Sequence, residues 1–98
     1  MRELKGRNAF VTGAGSGIGL GICRALAKAG VNVALADIER EPLDKAAAEI
    51  AALGVQAFGV RLDVSDEAAV QRASAEVGTK FGDLHILSNN AGVTFAGS

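Results

Sequence analysis

Apolar residues fall along this chain in short unbroken runs, separated by longer stretches in which they recur every three or four positions. Asn8-Ala9-Phe10-Val11-Thr12 is the first run, with Gly6 before it and a glycine-rich stretch behind, and it reads as a short buried strand. From Ile18 the period changes. Ile18, Ile22, Ala25, Leu26 and Ala29 share one helical face, and Gly30 is a C-terminal stop. Residues 31–36 (VNVALA) predict a second strand, apolar on both faces. Pro42 suits the first turn of a second helix that runs to about Leu53 and is stopped by Gly54. Residues 56–62 (QAFGVRL) predict a third strand. Ser65 is placed to cap a third helix running to about Lys80, with Asp66 and Glu67 in the first turn, where the macrodipole favours acids. Residues 84–88 (LHILS) predict a fourth strand, and the rest reads as loop.

Strands and helices thus alternate without repeats. Apolar strands joined by amphipathic helices imply parallel pairing with right-handed crossovers, so the fold class is α/β, a doubly wound parallel sheet. With 98 residues, 49% of them apolar and 21% charged, the chain is one domain with enough material for a core, and disorder is excluded. A net charge of -1 gives no electrostatic reason to expect nucleic acid or an anionic membrane as partner. No apolar run is long enough to span a membrane and no segment has signal-peptide anatomy. A single cysteine, Cys23, excludes an internal disulfide and a cysteine-rich metal site, which fits a cytoplasmic protein. Cys23 itself reads as a small buried hydrophobe, and the one histidine, His85, as structural.

The stretch Val11–Gly21 (VTGAGSGIGLG) joins the first strand to the first helix and has glycine at every odd position from Gly13. A linker would be polar and flanked by other flexible residues. A strand-to-helix junction is instead where a phosphate-binding turn belongs, because helix N-terminal N–H groups point outward and the dipole favours an anion. The spacing excludes G-x-G-x-x-G counted from Gly13, whose third glycine would fall on Ile18, and excludes a P-loop, since no Gly-Lys-Ser/Thr follows. It fits T-G-x-x-x-G-x-G at Thr12, Gly13, Gly17 and Gly19. Gly15 is surplus to that pattern. Gly21 lies within the helix, where glycine costs about 1 kcal/mol relative to alanine, and tight packing on the sheet is its expected reason.

Three further features stand at strand ends. Asp37 ends the second strand, roughly 20 residues past the glycines, where an acid meets the adenosine ribose in nucleotide-binding βαβ units. Asp63-Val64 ends the third strand, and Asn89-Asn90-Ala91-Gly92 the fourth. With the glycine pattern, this set resembles the short-chain dehydrogenase/reductase family across essentially all of the chain. The resemblance implies a Rossmann-type sheet in the order 3-2-1-4 and a dinucleotide cofactor. It assigns the pyrophosphate to Gly13, Ser16, Gly17, Ile18 and Gly19, the ribose to Asp37, the adenine to Asp63 and Val64, and the groove beside the cofactor to Asn90, Ala91 and Gly92. Asp37 would repel a 2′-phosphate and Ser16 adds no positive charge, so NAD is expected over NADP; Arg40 leaves dual use open.

The family's chemistry is hydride transfer between nicotinamide and an alcohol or ketone, using a Ser, a Tyr and a Lys four residues after it. Those lie beyond the N-N-A-G element, and this sequence has no tyrosine, so no catalytic residue can be carried over and Ser88 is not the family's serine. The chain is expected to be the truncated N-terminal, NAD-binding part of such a protein, inactive alone. The implied strand order leaves the fourth strand as an exposed parallel edge, so marginal stability and association of copies, a homo-oligomer, are expected. Two alternatives stay open: a non-catalytic nucleotide-binding or interaction module, and a nucleotide-sugar enzyme of the extended type, against which N-N-A-G speaks.

Overall fold

The structure is a computed structural model in which residues 4–90 are described. In chain order the elements are β1 (Asn8–Thr12), α1 (Gly17–Lys28), β2 (Asn32–Asp37), α2 (Arg40–Ala51), β3 (Ala57–Arg61), α3 (Glu67–Phe81) and β4 (Ile86–Ser88). The four strands form one parallel sheet in the order β3-β2-β1-β4, as expected. β1 is central and buried along its whole length, which is why its sequence is apolar on both faces.

Alternate residues of β1 and β2 serve two cores. Val11, Val33 and Leu35 face α1 and α2, where they meet Cys23, Ala27, Leu43, Ala46 and Ile50. Phe10, Ala34 and Ala36 face the other way, onto Ala73 and Val77 of α3. At the β3 end of this second core Phe58 packs on Phe81, with ring centroids 5.1 Å apart, and the Lys80 ammonium lies 4.1 Å over the Phe58 ring. Among the described residues, one face of the sheet thus carries α1 and α2 and the other α3.

Pro42 falls in the first turn of α2, as expected. Other local expectations are corrected. The cap of α3 is Asp66 and not Ser65: the Asp66 carboxylate accepts from the Ala69 N–H at 3.1 Å, while Ser65 bonds back to Asp63. β4 is shorter than predicted because Leu84 and His85 form its lead-in. There the His85 N–H donates to the Asn8 carbonyl, and the His85 Nδ1 accepts the Asn8 N–H at 3.0 Å, so the histidine is structural. Gly21 is exposed, and a Cβ built on it meets nothing within 4 Å, so tight packing is not its reason.

A chain of side-chain amides crosses the sheet at the amino ends of the strands. The Asn8 Nδ2 donates to the Asp83 carbonyl, the Asn32 Nδ2 donates to the Asn8 Oδ1, and the Asn32 Oδ1 accepts the Gln56 N–H, each at 3.0 Å. Two asparagines thereby tie together the lead-ins or first residues of all four strands. Asn8 is 92% removed from solvent, being only 8% exposed. Its replacement by alanine strands the partners of both its amide atoms, and a loss of about 1–3 kcal/mol is expected in urea unfolding.

Cys23 is fully buried in the first core, and burial pushes its thiol up to about 12, outweighing a small opposing effect of a backbone hydrogen bond. The thiolate is the nucleophile, so iodoacetamide at neutral pH should label Cys23 only as fast as the chain opens. Labelling of the native chain at the rate of the urea-unfolded chain would contradict this burial.

Candidate functional site

The glycine stretch leaves β1 at Thr12, turns under it and enters α1. Gly13 and Gly17 have φ of +62° and +58°, the left-handed region in which a Cβ is strained. Gly19 is required for a different reason: a Cβ there would stand 2.0 Å from the Gly13 carbonyl oxygen, so α1 can approach the turn only without one. The loop is fastened to the sheet by the Ala14 N–H, which donates to the Ala36 carbonyl at 2.9 Å.

The N-terminus of α1 is electrically open. Ser16 at its cap is extended, makes no side-chain capping bond, and no acid stands in the first turn. By contrast, α2 and α3 carry Glu41 and Glu67 in their first turns, and Asp66 caps α3. Ser16 and Gly17 are exposed, and Ile18 is 79% exposed. Helix N–H groups without a side-chain cap, and a first turn without an acid, are ingredients of an anion site.

Asp37, the last residue of β2, reaches this loop. Its Oδ2 accepts the Gly15 N–H at 2.9 Å, and its Oδ1 accepts the N–H of Ile38 at 2.8 Å and of Glu39 at 3.3 Å. The carboxylate that the resemblance assigns to the ribose is thus held by three backbone groups. The link between Gly15 and Asp37 had no signal in the sequence, because Gly15 is outside the glycine pattern.

After β3, the Asp63 Oδ1 accepts both the N–H (3.0 Å) and the hydroxyl (2.7 Å) of Ser65. The Ser65 hydroxyl first, and its N–H second, hold the Asp63 carboxyl below the usual carboxylate range. Asp63 is exposed, while Val64 is half-buried against the α3 core. One oxygen of Asp63 thus forms the turn into α3.

At the end of β4 the asparagines close onto Thr12. The Thr12 hydroxyl, fully buried, donates to the Asn89 Oδ1 at 2.6 Å and accepts the Asn90 N–H at 2.9 Å. The Asn90 Nδ2 donates to the Thr12 carbonyl at 3.0 Å and to the Ser88 hydroxyl at 3.3 Å. Ala91 and Gly92 lie outside the described residues. A Cβ on Gly13 would be 3.5 Å from the Asn90 Cβ, so the glycine turn and the β4 end are neighbours. The structure brings Gly13, Gly15, Asp37 and Asn90 together at the carboxyl ends of β2, β1 and β4, the side of an open α/β sheet where ligands bind. Asp63 stands at the end of β3, one strand farther out. A cleft of about 390 Å³ between α1 and α2, floored by Leu20, Pro42 and Ala46, shares only Gly15 with this set.

Among the described residues no three His, Cys, Asp or Glu side chains are grouped to hold a metal, and no helix is long and apolar enough to cross a membrane.

Comparison with known proteins gives the same picture. The C alpha-dehydrogenase of a Sphingobium species is 40% identical over 98 residues, covering 99% of this chain and 32% of that protein. The meso-2,3-butanediol dehydrogenase of Serratia marcescens is 43% identical over 88 residues, covering 90% of this chain and 34% of the relative. The chain thus spans about a third of the length of such relatives. Among solved structures, an NAD+-bound xylitol dehydrogenase superposes with a TM-score of 0.85 at 41% identity, over 92% of this chain and 35% of that one. A short chain dehydrogenase/reductase from Burkholderia phymatum in complex with NAD superposes with a TM-score of 0.81 at 37% identity, over 89% of this chain and 31% of that one. The short chain dehydrogenase family model matches residues 7–98. With its Rossmann-type sheet and this match over nearly its whole length, the chain belongs to the short chain dehydrogenase family.

Proposed function

We propose that the chain forms the dinucleotide-binding part of a nicotinamide-dependent oxidoreductase, with NAD as the preferred cofactor. The observation that supports this best is the α1 N-terminus, uncapped and free of first-turn acids, set in a glycine loop that is tied to the carboxylate of Asp37. The N–H groups of Gly17, Ile18 and Gly19 and the turn at Gly13 would hold the pyrophosphate, with Ser16 beside them. Asp37 would accept from the adenosine ribose. Asp63 and Val64 would receive the adenine, and Asn90, with Ala91 and Gly92, would line the groove beside the second ribose. When bound, the cofactor supplies hydride exchange with an alcohol or ketone in the whole protein. The residues of this chain bind and orient it. Assembly into a homo-oligomer and a place in the cytoplasm belong to the same reading.

Asp37 gives the sharpest test. Charge-assisted hydrogen bonds are worth about 1.5–3 kcal/mol each, so Asp37→Ala should weaken NADH binding about tenfold or more, as read by fluorescence titration. NADPH binding should fall less or improve, because a repulsive charge is removed. An unmutated chain that binds NADPH more tightly than NADH would refute the preference.

A further inference from the structure

The latch between Gly15 and Asp37 points to a residue whose part in cofactor choice lies outside the family's glycine pattern. Gly15 is buried, so its N–H needs a partner, and the partner is the Asp37 Oδ2 at 2.9 Å. A Cβ on Gly15 would lie 2.9 Å from that same oxygen, 3.2 Å from the Asp37 Cγ and 3.3 Å from the Pro42 Cβ. With Pro42 also close, an added methyl group meets the Asp37 carboxylate first, and that carboxylate, the free end of its side chain, is the group that has to shift. On its other oxygen the carboxylate is held by Ile38 and Glu39, from its own loop.

We propose that Gly15 is a positioning residue that fixes the Asp37 carboxylate and thereby sets the preference between a ribose 2′-hydroxyl and a 2′-phosphate; this rests on the reading of Asp37 given above. A carboxylate has about four acceptor sites. Three are filled by backbone N–H groups, which leaves one on Oδ2. A hydroxyl can donate to that site without disturbing the rest. A phosphate has no proton to donate and meets a negative charge that cannot swing aside while Gly15 holds it. Discrimination therefore needs a carboxylate that is both present and immobile. Presence is given by Asp37 and immobility by the absence of a side chain at position 15.

The test measures binding of NADH and NADPH by fluorescence titration, in the unmutated full chain, in Gly15→Ala and in Asp37→Ala. Amide hydrogen exchange of the ligand-free chain is followed alongside. Gly15→Ala should lower the NADH-to-NADPH affinity ratio by about tenfold or more, the fold-change to which the loss of one charge-assisted bond amounts. The Gly15 amide should be protected without any ligand and lose at least about tenfold of that protection in Asp37→Ala. A Gly15→Ala chain in which both affinities fall by the same factor would make the glycine merely structural and overturn the inference, leaving the role of Asp37 intact. A Gly15 amide that exchanges as fast as in the unfolded chain, or a Gly15→Ala chain that fails to fold, would also overturn it. If Asp37→Ala itself leaves the ratio unchanged, the reading of Asp37 fails and the inference with it.

Discussion

Gly19→Ala should destabilise the chain by about 3 kcal/mol or more, beyond the ordinary range for one added methyl group in a core. The methyl would stand 2.0 Å from the Gly13 carbonyl oxygen. That oxygen belongs to a turn fastened at Ala14 to β2 and bordered by Asn90, so it cannot retreat without opening the loop. A loss of this size is a large share of the roughly 5–15 kcal/mol typical of a folded domain. Gly21→Ala, two residues along the same helix, is the matched control. Its Cβ meets nothing within 4 Å, and it should raise stability by about 0.5–1 kcal/mol through helix propensity alone. Urea unfolding of both variants checks the pair. Equal effects would mean that α1 does not press on the turn as described.

Thr12→Val should be the next most damaging change, at about 2–4 kcal/mol, although it keeps the shape of the side chain. The hydroxyl is fully buried, donates to Asn89 and accepts the Asn90 N–H. Valine removes both bonds and leaves the Asn90 N–H without its acceptor, while the Asn90 Nδ2 still reaches the Thr12 carbonyl. Thr12→Ser keeps the oxygen and should recover most of the loss. In denaturant melts, a Thr12→Val midpoint equal to that of the parent would show that the β4 end is not held through this hydroxyl.

The sequence made the frame of the molecule readable because period and punctuation agree. The apolar runs are strands, the 3.6-residue periods are helices, and Gly30, Gly54 and Gly82 all have positive φ where helices stop. The ends of β2 and β4 were also placed correctly, since Asp37 closes β2 and Ser88 closes β4. What escaped were contacts between side chain and backbone. Ser65 and Asp66 are adjacent and both suit a helix cap; only geometry shows that Asp66 caps while Ser65 serves Asp63. A glycine inside a helix implies a packing reason, because it costs helix stability, yet Gly21 is exposed. The bond between Asn8 and Asn32 depends on a strand pairing that no local pattern contains. The union of Gly15 with Asp37 is of the same kind.

The two sets of asparagine contacts sit at opposite ends of the same sheet, one through Asn8 and Asn32, the other through Thr12, Asn89 and Asn90. Strands that are apolar on both faces carry no polar alternation to mark one alignment, so the hydrophobic pattern alone specifies the register of β1 against β2 and β4 less sharply. A slip by a single residue would pull Asn8 away from Asn32 and Thr12 away from Asn90 together. The polar pins thus act as a vernier. They sharpen the choice of alignment, and the alignment they select is the one that brings the loop, Asp37 and Asn90 level with one another.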